Sequence, residues 1–403
     1  MLPIDEAARL VFDGVAPLRP ERVALADARG RFLAAPLTAR FDDPPFDASA
    51  MDGYAVRAAD VAQVPAALAL RGESRAGEPS SHVVGPGEAV RIFTGAVVPE
   101  GADAVVIQED TDRDGDTVHV SEAAAVGANI RITGEVIRAG APLLEPGARM
   151  HPGEIAFAAS HGHAVVAVHR RPRVAILSTG DELRELGAPR ARGDIYDSNT
   201  HGLAAAVREA GGVPVVLPLG ADTAARLTGL INDGLTCDAL VTTGGVSVGE
   251  YDLVRGALAD AGVEEIFWKV RLKPGKPVRY GRTEAGVPAF GLPGNPVSTM
   301  VTFEVFVRPV LRMMLGDPFP HRPRRRVTLS QPARAPDTRT ELARARLDGD
   351  VAHRLTGRGS GDMSSLVGMD ALIVLPEGAG VVGEADALDL RMGARAATSP
   401  WEA

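Results

Sequence analysis

The chain has 403 residues, 45% of them hydrophobic and 24% charged, with a formal net charge of −9. That length exceeds one compact core and predicts three or four domains, while the apolar content excludes a disordered chain. The negative balance excludes a general nucleic-acid binder, which needs a dominant basic surface, and the single Cys237 excludes both a disulfide framework and a cysteine-based zinc site.

Residues 4 to about 18 place Ile4, Ala7, Ala8, Leu10, Val11 and Val15 at helical spacing behind Asp5 and Glu6, so a short helix is predicted. The N-terminus lacks the basic-then-apolar layout of an export signal, and no apolar run reaches membrane length; the expectation is a cytoplasmic protein with no membrane partner. From about 40 to 132, brief apolar runs such as Ala104-Val-Val-Ile107 alternate with Gly, Pro and Asp turns, the pattern of a small β-rich insertion. We place an N-terminal mixed domain at 1–50 and 132–170, and the insertion at 51–131.

Arg173-Val-Ala-Ile-Leu177 reads as a buried strand, and further strands at 213–217 and 238–243 alternate with helices at 222–235 and 251–261. Such alternation predicts a doubly wound parallel sheet, here over 171–316, with ligands beyond the carboxyl ends of its strands. Ser198 and Asn199 offer N-caps to the helix after the first strand, and Asn295-Pro296 starts a long apolar helix. The run 321–326 reads as a basic linker, and the short strand-like runs between turns over 317–403 predict a small C-terminal β domain, barrel-like in form.

Several loops of the α/β region carry chemistry. Lys269, Arg271 and Lys273 alternate along a predicted strand and should share one cationic face, with Lys276 beyond the Pro-Gly turn. Thr242-Thr-Gly-Gly-Val-Ser-Val-Gly-Glu250 places glycines among small hydroxyl residues after a strand, a backbone nest for an anion that matches neither a Walker loop nor GxGxxG. Glu182, Asp222 and Asp252 each fall at a strand end or helix start. Two readings stay open for them: one shared Mg²⁺ site, or three separate acids complementing helix dipoles. His161-Gly-His163 lacks further ligands and is set aside as a metal site. Cys237 is expected to be a buried structural thiol.

Taken together, Ser49-Ala-Met-Asp-Gly-Tyr-Ala-Val56, Arg91-Ile-Phe-Thr-Gly-Ala96, Ser178-Thr-Gly-Asp-Glu-Leu183, Gly244-Gly-Val-Ser-Val-Gly-Glu250, Lys273-Pro-Gly-Lys-Pro277 and Gly291-Leu-Pro-Gly-Asn-Pro296 closely resemble the motifs of the molybdopterin molybdenumtransferase (MoeA) family, related to the gephyrin E domain. The resemblance implies a multidomain α/β fold with a central molybdopterin-binding domain, and a homodimer held by the N-terminal mixed domain. It implies an enzyme that takes adenylylated molybdopterin and molybdate, uses Mg²⁺, and releases AMP. A molybdopterin adenylyltransferase would be the substrate donor, and molybdoenzymes or their chaperones the acceptors.

Carried over by motif, the catalytic set is Asp52, Thr94, Glu182, Asp222, Asp252, Lys269 and Lys273, with Glu182, Asp222 and Asp252 on the metal. Asp52 and Thr94 would complete the site across the dimer interface. Substrate contacts fall to Gly244, Gly245, Ser247, Lys276, Pro293, Asn295, Pro296 and Ser298, and to Arg344 and Ser360 of the C-terminal domain. One departure stands out: where many family members carry an acid after Gly-Glu, this chain reads Gly134-Glu-Val136. Two rival readings are a molybdopterin adenylyltransferase, whose single domain resembles 171 to about 316, and a noncatalytic pterin carrier.

Overall fold

The computed structural model describes residues 1–219, 223–244, 253–355, 357 and 359–390. Its centre is a six-stranded sheet in the order Val213–Val216, Arg173–Ser178, Ala239–Thr243, Pro288–Leu292, Arg279–Thr283, Val263–Trp268. The first four strands run parallel, and the last two complete the edge in antiparallel pairs. Side chains alternate across a strand, so Val174 and Ile176 face one way and Ala175 and Leu177 the other, all four fully buried. Both faces therefore need a cover, which is why the strand reads as a continuous apolar run.

One face is covered by helix Ser198–Ala210 and the long helical stretch from Pro296 to Met314, and the other by helices Ala224–Gly234 and Leu253–Asp260. The first cover also takes the N-terminal helix Ile4–Phe12, whose Ala7 and Val11 are fully buried in that core. The chain before Ile4 adds to it: Leu2 bridges to Val270 in parallel. Between Pro296–Thr302 and Arg308–Met314 lies a wider π-helical turn, Phe303–Val307. Pro309 has no N–H and its ring crowds the carbonyl four residues back, so a regular α-helical ladder cannot run through this stretch.

The insertion forms a second six-stranded sheet, ordered Ala104–Ile107, Gly53–Val56, Glu88–Ile92, Ala66–Ser74, Thr117–Val120, Thr111–Asp114. Gly53 is required there, because a Cβ would stand 1.9 Å from the Val106 carbonyl oxygen. Three small antiparallel pairs tie the segments before the insertion to those after it: Pro20–Ala24 with Val165–His169, Leu37–Thr38 with Pro142–Leu144, and Ala48–Ser49 with Ile130–Arg131.

Five C-terminal strands, Arg324–Arg334, Thr340–Asp348, Val351–Arg354, Ala371–Leu375 and Val381–Asp389, close into a small barrel. Its interior is rich in alanine, including Ala345, Ala352, Ala371 and Ala387, which suits the narrow bore. A two-residue strand from the α/β region, Leu272–Lys273, pairs in parallel with Thr340–Glu341 of the barrel wall. The architecture is thus the multidomain α/β fold with a C-terminal barrel that the sequence led us to expect. Among the described residues no helix is long and apolar enough to cross a membrane.

Candidate active site

The site grows from the carboxyl ends of three neighbouring parallel strands. Ser178 lies beside Thr243, and Thr243 beside Leu292, so the loops that follow start side by side. Thr243 donates its hydroxyl to the Pro293 carbonyl at 3.1 Å, and Thr299 does the same from the helix below. Asn199 ties two of these loops, its Nδ2 reaching Thr243 Oγ1 at 3.0 Å and the Gly294 carbonyl at 2.8 Å. The sequence reading made Asn199 a helix cap. Asp197 caps that helix instead, accepting from the Thr200 N–H, which frees Asn199 to bracket the loops. Gly244, at φ +87°, has no room for a side chain, since a Cβ would meet the Thr179 carbonyl oxygen at 2.1 Å.

Against the third loop lies a cavity of about 510 Å³ that brings together Lys273, Lys276, Pro293, Asn295, Ser298, Arg344 and Ser360. Seven residues proposed from widely separated motifs thus share one wall system. Pro296 adjoins it as the first residue of its helix, and the N–H of Val297 donates to the Ser360 carbonyl at 3.2 Å, so a barrel loop seals that helix start. Gly275, at φ +114°, turns the chain between the two lysines, and a Cβ there would stand 2.4 Å from Thr302 Cγ2.

Sequence reasoning missed the rest of the wall: Arg339, Glu341, Arg354, Gly357 and Gly359, all from the barrel. Nothing local marks them, because they reach the cavity only when the barrel closes. Five cationic side chains then face one carboxylate among the described lining residues. Glu341 accepts from Lys273 at 3.0 Å and from Arg354 at 3.3 Å. Burial lowers the pKa of the Arg344 guanidinium, with Glu341 and Asp362 opposing the shift and Arg354 adding to it. The Arg344 Nε is buried with no hydrogen-bond partner among the described residues.

Other expectations fall differently. Lys269, Arg271 and Lys273 do not share a strand face. Lys269 sits at φ +75°, a left-handed turn that ends strand Val263–Trp268 and breaks the alternation. Its ammonium lies 3.6 Å from the Trp268 ring centroid, Arg271 pairs with Glu377, and only Lys273 enters the cavity. Glu182 is exposed at the carboxyl end of the first strand and does not line the cavity. Asp222, Asp252, Gly245 and Ser247 lie outside the described residues. Among the described residues no three metal-type ligands cluster.

Half-buried Asp52 and exposed Thr94 form a hydrogen-bonded pair on the insertion, and neither lines the cavity. Val136 is exposed, its N–H bound to the Asp43 carbonyl, and the neighbouring Glu135 carboxylate is taken up by Arg131 and the Ile132 N–H. His163 bonds the Thr38 carbonyl and His161 stacks on Phe41, so neither is arranged as a metal ligand. Cys237 is buried, and burial pushes its thiol pKa up.

Residues 2–162 match the MoeA N-terminal region (domain I and II), 175–313 the probable molybdopterin binding domain, and 326–389 the MoeA C-terminal region (domain IV). A protein of Mycobacterium tuberculosis (strain ATCC 25618 / H37Rv) named molybdopterin molybdenumtransferase 2 is 40% identical over 360 residues, covering 86% of this chain and 88% of its own. The chain belongs to the molybdopterin molybdenumtransferase (MoeA) family.

The molybdopterin molybdenumtransferase of Bacillus subtilis (strain 168) is 36% identical over 395 residues, covering 94% of this chain and 90% of its own. The MoeA structure from Pyrococcus horikosii superposes with a TM-score of 0.85 at 29% identity, over 97% of this chain and 99% of that one. Membership of the MoeA family makes this chain an enzyme, a transferase of molybdenum cofactor biosynthesis. Its family regions together span the insertion, the α/β sheet and the barrel whose wall closes the cationic cavity.

Proposed function

We propose that this chain inserts molybdenum from molybdate into molybdopterin presented as its adenylate, with Mg²⁺-dependent release of AMP. The observation that carries the reading is the cavity where Lys273, Lys276, Arg339, Arg344 and Arg354 converge on a space of about 510 Å³. A tetrahedral oxyanion needs fixed cationic donors, and the ammonium and guanidinium groups that line this cavity supply them. The volume exceeds that of one oxyanion, leaving room for a phosphate-bearing substrate beside it.

Glu182 suits a hard cation. No hydrogen bond or ion pair engages its carboxylate among the described residues, and the side chain curls over Gly180, where a Cβ would stand 2.7 Å from both oxygens. Oxygen donors of this kind, completed by substrate phosphates, are what Mg²⁺ takes, and the ion when bound would offset phosphate charge. In this reading the lysines and arginines bind and orient the anions, while Asn199 holds the strand end at Thr243 against the Gly294 carbonyl of the neighbouring loop. The chain works as a homodimer, with Asp52 and Thr94 of one copy serving the cavity of the other; the position of this partly exposed pair on the insertion, outside the lining of its own chain's cavity, supports that arrangement.

The test is to incubate purified protein with adenylylated molybdopterin, Mg²⁺ and molybdate and to measure AMP. Molybdate-stimulated AMP release is expected. Tight adenylate binding without release would favour a carrier instead.

A further inference from the structure

Glu341 is the one carboxylate among the described residues lining the cavity, and its side chain is only 12% exposed. It is placed by the backbone: Lys273 and Glu341 are register partners on the parallel pair that joins the lysine loop to the barrel. Its two oxygens are divided, Oε2 taking Lys273 at 3.0 Å and Oε1 taking Arg354 at 3.3 Å. Lys276, Arg339 and Arg344 have no ion pair among the described residues. Two of five cations are therefore already engaged before any anion arrives, and an arriving anion meets a fixed negative charge in the wall.

We infer that Glu341 is a specificity-setting residue, an internal competitor that withholds Lys273 and Arg354 from the bound oxyanion and so keeps its ground-state affinity low. The inference rests on the proposed oxyanion site. An interaction given equally to substrate and transition state lowers KM without raising turnover, and a site that must hand its anion on is slowed by holding it too well. Glu341 leaves Arg344, Lys276 and Arg339 to seat the anion. Lys273 and Arg354 become available only when charge builds up enough to draw them from the carboxylate.

The sign of the effect makes the inference testable. Glu341→Gln keeps the side-chain shape and removes the competing charge, so molybdate, and sulfate as an inert probe, should bind on the order of tenfold more tightly by calorimetry, with a steeper dependence on salt. In turnover assays KM for molybdate and kcat should fall together. Glu341→Asp keeps the charge and should return affinity toward that of the native protein, and Glu341→Ala serves where the glutamine variant does not fold. Unchanged or weaker oxyanion binding in a folded Glu341→Gln protein overturns the inference. If Lys276→Ala and Arg344→Ala also leave molybdate binding unchanged, the oxyanion site itself is wrong. If they weaken it while Glu341→Gln fails to tighten it, only the role of Glu341 falls.

Discussion

Asp52 accepts two hydrogen bonds from Thr94 on the same oxygen, Oδ1, from the backbone N–H at 2.7 Å and from the hydroxyl at 2.8 Å. The Thr94 N–H, then its hydroxyl, hold the Asp52 carboxyl below the usual aspartate range, with Arg91 adding a smaller pull against slight desolvation. The carboxylate is therefore charged at neutral pH and fixed in direction. Asp52→Asn should reduce AMP release on the order of 10²-fold, the scale of a lost acid–base or charge contribution, while thermal melting changes little because the amide oxygen can still accept from Thr94 at this half-buried position. Normal turnover in the variant would remove Asp52 from the chemistry.

Gly275→Ala should damage both stability and binding. The substitution puts a side chain at φ +114° and drives its Cβ against Thr302 Cγ2, so a loss of about 1–3 kcal/mol is expected in denaturant unfolding. Lys273 and Lys276 flank the turn and should lose oxyanion affinity with it. Thr302→Ser removes the offending methyl and should recover part of the stability but not all, because the backbone angle remains unfavourable.

Arg344→Ala should weaken molybdate binding by about 1.5–3 kcal/mol, the scale of hydrogen bonds to a charged group. Arg344→Lys should not rescue it, since an ammonium cannot reproduce the planar fork of a guanidinium. Calorimetric titration of both variants decides the matter, and full affinity in the lysine variant would show that charge alone is read.

Asp238 should make the fold acid-sensitive in a defined direction. Burial raises its pKa, but hydrogen bonds from Arg170 and the Arg173 N–H, with the charges of both arginines, outweigh burial and leave it lowered. The contribution is thus present above the unfolded aspartate value of about 4 and lost as pH falls through the lower folded value. Arg170 reaches Asp238 at 2.6 Å, clamping the end of the N-terminal region to the α/β sheet. Asp238→Asn should lower the melting temperature at pH 7 and narrow the gap to the native protein near pH 3. A constant gap across that range would disprove the linkage.

The alternation of strands and helices and the small C-terminal β domain were legible because each leaves an apolar trace: Val174 to Leu177 is continuous where both faces are covered, and Ala371 to Leu375 likewise; the strand order and the two antiparallel edge strands were not. The cavity residues Lys273 and Lys276 were legible through loop chemistry, Asn295 and Ser298 through the family motif. The shared cationic face was not, because a positive φ at Lys269 is invisible in a stretch that otherwise alternates like a strand. Arg339, Glu341 and Arg354 could not be found from the chain at all, since the lysine turn they face lies far back in sequence and is brought to them by the pairing of Leu272–Lys273 with Thr340–Glu341. Asn199 was misread for a related reason: its cap chemistry is generic, while the Gly294 carbonyl it holds is a tertiary neighbour.

The two-residue strand Leu272–Lys273 belongs by sequence to the α/β region yet hydrogen-bonds into the barrel. The C-terminal unit therefore behaves as masonry and not as an appendage. A chain cut after residue 316 would retain a complete sheet with its helical covers, but its lysine turn would stand in open water, stripped of Arg339, Arg344, Arg354 and the Ser360 carbonyl that shuts the adjoining helix start.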